Sequence, residues 1–203
     1  MSDFARRFQL PLMALLFVTG AAFLLKMCYL SLAFNTIFGI GFLTTVYFFV
    51  KARFGVTLPP SLLALVLVGL EVDALGNFFR MYGNRFGPLQ YDEFAHMTIQ
   101  VLVTPLIVYL LREAVERAGQ NLSLGFTTVF AGAIIFSLSA FYEVIELWDE
   151  LYFGGRRIWS TRDTSTDLQF DLFGIIVGSV VAYALLRREN ALERMKERQV
   201  PAG

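Results

Sequence analysis

The chain has 203 residues, 56% of them hydrophobic and only 17% charged, against about 25% charged in an ordinary soluble domain. Its 17 basic and 17 acidic residues cancel, which removes the basic field that nucleic-acid binding relies on. A single cysteine, Cys28, excludes an intrachain disulfide and a cysteine-built metal site, and a single histidine, His96, leaves acid–base or metal chemistry to carboxylates around one imidazole.

A helix needs about 20 mostly apolar residues to cross a bilayer, and six stretches predict one. The first two share the apolar run from Phe8 to Val50, broken near Lys26. Arg6 and Arg7 precede it as they would a signal peptide, but a second apolar segment follows at once, so the first is read as an uncleaved span. The third runs from about Leu58 to Phe79, with Pro59 and Pro60 suited to a first turn. The fourth runs from about Asp92 to Leu111 and carries Pro105, which predicts a kink. The fifth covers about Leu124 to Leu147 and the sixth about Asp167 to Leu186. Beyond it, Arg187 to Arg198 mixes both charge signs at helical spacing and extends the last helix as a solvated end. The expected fold is therefore all-α: one polytopic membrane domain over residues 1–203, a bundle of about six transmembrane helices, with a cytoplasmic helical tail over 187–203.

Lys and Arg gather in cytoplasmic loops. With both termini inside, the inner set is Arg6, Arg7, Lys51, Arg53, Arg112, Arg117, Arg187, Arg188, Arg194, Lys196 and Arg198. The outer set is Lys26, Arg80, Arg85, Arg156, Arg157 and Arg162. The excess on the first side predicts an N-in, C-in protein of the inner (plasma) membrane. It also places the nominal glycosylation sequon at Asn121 in the cytoplasm, where it has no meaning.

In that topology the acids converge. Asp73 lies in the outer half of the third span, Asp92 and His96 open the fourth, Glu143, Glu146 and Asp149 close the fifth, and Asp163, Asp167 and Asp171 open the sixth. Residues three or four apart share a helix face. Asp92, His96 and Gln100 therefore form one stripe, Glu143, Glu146 and Glu150 a second, and Asp163, Asp167 and Asp171 a third. A charge at bilayer depth costs at least a few kcal/mol, so such groups turn into the bundle, and carboxylates crowded there must take up protons or a cation.

A divalent metal ion resolves the crowding, since inward Glu and His from facing helices hold metals in bundle cores. The candidate ligands are His96, Glu143, Asp167 and Asp171. Glu146 and Asp92 are candidate general bases, and Asp92 could instead orient the imidazole. One nitrogen among oxygens suits Zn, Mn or Fe, and an oxygen-dominated site Mg or Ca. The competing readings are proton handling and plain structure: Asp92 and His96 sit where acids favour a helix N-terminus, Asp149 and Asp163 read as interfacial and solvated, and Glu71 and Asp73 can pair with Arg80 or Arg85. Arg156, Arg157 and Arg162, beside the acids, can hold a phosphorylated substrate bidentately or meet lipid head groups. Trp148 and Trp159 read as interfacial anchors. Gly174 and Gly178 form a small-residue pair for close packing within the chain or for a homodimer.

These residues carry a resemblance. Tyr91-Asp92-Glu93-Phe94-Ala95-His96 looks like the D-x-x-x-H signature of the YjdF-type bacterial inner-membrane family. The stretch from Ser139 to Trp148 is similar to that family's S-A-F-Y-E-x-x-E-W-W, and Asp167-Leu168-Gln169-Phe170-Asp171-Leu172 to its D-T-Q-W-D-M. The order of the motifs, with Gly174 after the last, also resembles VanZ-like proteins. The resemblance covers about Leu67 to Leu186. It departs at Glu71 and Asp73, where the YjdF type tends to carry histidine, and at Glu146 and Asp171, where VanZ-like proteins favour Gln and Asn. It implies a multi-spanning inner-membrane protein and lends no established reaction. The function expected from the residues is a metal-dependent hydrolase or transferase acting on a membrane lipid or cell-envelope substrate. The alternatives are a small proton-coupled carrier and an accessory subunit of a larger membrane complex.

Overall fold

The structure, a computed structural model, describes residues 45, 48, 49, 51–57, 59–155, 158, 160 and 162–199. The first two predicted spans lie almost wholly outside these residues. The third is the helix α1 (Pro60–Phe78), and it starts where the prolines suggest, with extended Pro59 handing over to Pro60, whose missing N–H costs nothing in a first turn. Its end is less expected. Met81 N–H donates to the Gly76 carbonyl at 2.8 Å and Arg80 N–H to that of Asn77 at 3.2 Å, a Schellman turn in which Arg80 takes the left-handed position at φ 53.

A two-residue antiparallel ladder follows, Arg85–Phe86 (β1) against Leu89–Gln90 (β2), and leads directly into α2 (Tyr91–Arg117). The Glu93 carboxylate accepts the Gln90 backbone N–H at 2.8 Å and so caps this helix. At the far end Gly119, φ +74, closes it with the same hydrogen-bond pattern that Arg80 supports after α1. Ser123 caps α3 (Leu124–Trp148) by accepting the Phe126 N–H at 3.2 Å. A π-helical turn, Asp149–Phe153, extends α3 before left-handed Gly154 ends it. The last helix, α4 (Asp163–Gln199), runs without a break through the charged stretch after Leu186.

Among the described residues three helices are long and apolar enough to cross a membrane: α2, α3 with its π turn, and α4 to Ala191. α2 is the central one, packed on α1, α3 and α4, while α3 also touches α4. Val66 of α1 meets Leu106 and Leu110 of α2 over Val56. Val108, Ala131 and Ala182, one from each of α2, α3 and α4, form a second buried cluster.

The glycine pair sets the α2–α4 contact. A Cβ on Gly174 would run into the Met97 carbonyl oxygen, and one on Gly178 would stand 2.7 Å from the Thr104 Cβ. The pair therefore serves packing within the chain. Pro105 supplies no N–H to the Val101 carbonyl one turn earlier, and Gly178 lies against that oxygen, so α4 backbone covers it where no water would.

At the end of the bundle where α2 finishes, charges are fastened to one another and to backbone. Arg117 donates to the carbonyls of Phe54 at 3.2 Å and Gly55 at 2.8 Å and pairs with Glu113. Arg112 pairs with Glu116 at 2.8 Å and reaches Asn190 of α4 at 3.0 Å.

Candidate metal centre

The opposite end is acidic. It is where α2 and α4 begin and α3 finishes, so Asp92 and His96, Glu143 and Glu146, and Asp167 and Asp171 all arrive there from different helices. The five carboxylates are buried, Asp171 to 1% and Glu143 to 4% exposure. The close α2–α4 packing at Gly174 brings the Asp171 turn against His96. The imidazole Nδ1 lies 3.0 Å from Asp171 Oδ1, and Nε2 lies 3.6 Å from Asp92 Oδ1. Two overlapping groups offer ligand atoms within 4.8 Å of one another: Asp92, His96 and Asp167, and His96, Glu143 and Asp171. All four residues expected as ligands therefore fall in these groups, joined by Asp92, while Glu146 is buried beside Glu143.

Gln100, one turn below His96 on the same stripe, ties three helices together. Its Nε2 donates to Ser139 Oγ of α3 at 2.6 Å and to Asp171 Oδ1 of α4 at 3.1 Å. Thr164 hydrogen-bonds the Glu143 carboxyl. The other Glu143 oxygen, Oε1, is buried and has no hydrogen-bond partner among the described residues. A buried carboxylate oxygen left unsatisfied costs more than a neutral group would, on the order of several kcal/mol, and this carboxylate is grouped with His96 and Asp171. Glu93 takes the Gln90 N–H, and Asp92 stands beside it in the first turn of α2, where the helix dipole also favours an acid.

Below Gln100, Ser139 and Thr104 the described core is mostly apolar, with Val108, Ala131, Ile135 and Ala182 buried and the hydroxyls of buried Thr127 and Thr128 donated to carbonyls one turn back. Among the described residues the polar network gathers at one end of the bundle. One ring nitrogen and several carboxylate oxygens make a donor set for a borderline or hard divalent cation, and a buried site of this kind would polarise a bound oxygen or water.

Other expectations fare differently. Asp149 is not solvated: it is 0% exposed, packed under the π turn so closely against Gly155 that no Cβ fits there. It lies three residues after buried Glu146 and four after buried Ile145, so the regular register of α3 already turns it inward. Asp163 is half-buried and Glu150 exposed. Asp73 meets Asn77 and Tyr82: its Oδ1 accepts from the Asn77 amide at 2.8 Å and from the Tyr82 hydroxyl at 2.8 Å. Burial and then the Asp73 carboxylate push the Tyr82 phenol well above its usual value. The Glu71 side chain lies outside the described residues, as do Arg156, Arg157 and Trp159. Arg162 is exposed just before α4, and Trp148 is exposed with its ring edge-on to Phe141. Gln100 and Ser139 were visible as members of a stripe and a motif, but only the helix packing reveals that they meet.

A family model described as "Predicted membrane protein (DUF2238)" matches residues 6–190. No curated protein and no solved structure matches the chain.

Proposed function

We propose a function from the premise that this chain belongs to DUF2238, the YjdF-type family of predicted membrane proteins: it holds a divalent cation among His96, Asp92, Glu143, Asp167 and Asp171, and uses it for hydrolysis or group transfer on a lipid or cell-envelope substrate. The single observation that carries this reading is Glu143, whose Oε1 is buried without a hydrogen-bond partner among the described residues and whose carboxylate lies with His96 and Asp171 in one group of possible ligand atoms. A cation satisfies that oxygen and relieves the mutual repulsion of the carboxylates in one step. Six spans with both termini in the cytoplasm of the inner membrane complete the proposal, which puts the acidic end at the outer surface. The likeness of the motif order to VanZ-like proteins favours an envelope substrate.

The bound ion would supply a Lewis acid and an activated water. With Asp92 grouped at His96, Glu146 is left as the general base. Arg162, with Arg156 and Arg157, would meet the substrate's phosphate at the mouth. The mostly apolar core that the described residues form below Thr104 and Ser139 favours the enzymatic reading over a carrier, which needs a polar route to the other side. The reaction is tested by incubating the purified protein, loaded with zinc or manganese, with an extract of bacterial membrane lipids and lipid-linked sugars and following products by mass spectrometry. The expected product is lost with a chelator and in Glu146→Gln. Product formation that survives both treatments, or no turnover with either metal, rejects the enzymatic reading.

A further inference from the structure

We propose that Asp171 is a positioning residue: held by Gln100, it accepts a hydrogen bond from Nδ1–H of His96 and so leaves Nε2 as the nitrogen that meets a divalent cation between Asp92 and Asp167. This deepens the cation reading and rests on it. The geometry assigns the two ring nitrogens different tasks. Nδ1 lies 3.0 Å from Asp171 Oδ1, a hydrogen-bond distance, whereas Nε2 stands 3.6 Å from Asp92 Oδ1, too far for a hydrogen bond. A neutral imidazole carries one N–H, and the nitrogen that spends it on a carboxylate is not the one that binds a metal.

Asp171 is itself constrained. It is 1% exposed and accepts from Gln100 Nε2 at 3.1 Å through the same Oδ1 that faces His96. A carboxylate can only accept, so the Gln100 amide must present its nitrogen, and Ser139 Oγ at 2.6 Å takes the second hydrogen of that group. Ser139, Gln100, Asp171 and His96 thus form a chain across three helices that ends at the ring. Carboxylate–imidazole–metal arrangements of this kind fix the tautomer and raise the basicity of the ligating nitrogen. Asp92, whose Oδ1 lies on the Nε2 side, remains as an oxygen ligand together with Asp167 and Glu143, which are grouped with the same imidazole.

Because His96 is the only histidine, protein labelled with ¹⁵N-histidine and held in lipid nanodiscs gives a single imidazole whose two nitrogens are read separately. With zinc added, Nδ1 is expected to keep its proton while the Nε2 resonance moves; in Asp171→Ala the proton is expected to spread over both nitrogens, and Asp171→Asn, whose amide oxygen still accepts, to restore it to Nδ1. Gln100→Leu is expected to weaken zinc binding by about 10–100-fold. Zinc moving Nδ1 instead, or a wild-type ring without a proton on Nδ1, overturns the assignment. Zinc moving neither nitrogen removes the cation reading alone, and the metal-free spectrum then decides: a proton on Nδ1 keeps Asp171 as the positioning residue, and a bare Nδ1 discards it. The wild-type spectra suffice if the variants do not fold.

Discussion

Gly174 of α4 sits against the Met97 carbonyl of α2 with no room for a β-carbon between them. That contact sets how deep α4 rides on α2, and the depth determines that Asp171, three residues earlier, faces His96 and not the lipid. The site is therefore a consequence of a missing side chain one turn away.

Gly174→Val should separate the two helices. Overpacking of this kind costs about 1–3 kcal/mol, to be read as a lower thermal midpoint in nanodiscs. Divalent-ion binding should fall with it, since the Asp171–His96 distance opens. Gly125, with open space around its Cβ position, is the control: Gly125→Ala should lower neither reading, since alanine suits a helix at least as well.

Arg80 offers the reverse experiment. It holds a left-handed conformation at φ 53 without being glycine, which costs a non-glycine residue about 1–2 kcal/mol. Arg80→Gly should raise stability by about 1 kcal/mol, provided the exposed guanidinium does nothing else for the fold, and thermal unfolding compares the two chains directly. Gly119 already closes α2 in the same way.

The Tyr82–Asp73 pair carries a pH signature. Burial and the neighbouring carboxylate hold the Tyr82 phenol above its usual value near 10. The unfolded chain ionises this tyrosine first as pH rises. Its contribution is therefore fully present below about pH 10 and is lost as pH climbs toward the raised folded value. Tyr82→Phe should flatten that alkaline decline while lowering stability at neutral pH by about 1 kcal/mol for the lost hydrogen bond to Asp73. Chemical unfolding at a series of pH values separates the two effects.

Glu143→Gln discriminates between a structural acid and a ligand. Without a cation the substitution removes a buried charge with an unsatisfied oxygen, so the chelator-treated protein should become more stable, by about 1–3 kcal/mol. The same variant should gain little from added zinc or manganese, whereas wild type should gain markedly by mass action. A variant destabilised in both conditions would make Glu143 a purely structural acid.

Much of this was legible in the chain and some was not. The apolar runs placed α1 and α3 to within a few residues and the start of α2 to within one, while α2 runs six residues past Leu111, because length and hydropathy mark an apolar helix but not its polar end. The gathering of Asp92, Glu143, Asp167 and Asp171 at one end followed from where each fell in its own run. The partner of His96 did not follow: Asp92 shares its helix face, but Asp171 is the nearer acid, and that depends on the register of α4 against α2. Asp149 reads as interfacial from its place at the end of the apolar run, yet it shares a helix face with buried Ile145 and Glu146 and follows them inward. Arg80 was unreadable as a helix stop because the position lacks the glycine that normally marks one.

The central claim is that one imidazole and acids from three helices bind a divalent ion. Elemental analysis of protein purified without chelator, equilibrated with zinc or manganese and then desalted, tests it most directly. The account predicts a stoichiometric ion in wild type that disappears in both His96→Ala and Asp167→Asn while the helical content stays intact. A wild-type chain that retains no metal, or variants that retain as much as wild type, would contradict it.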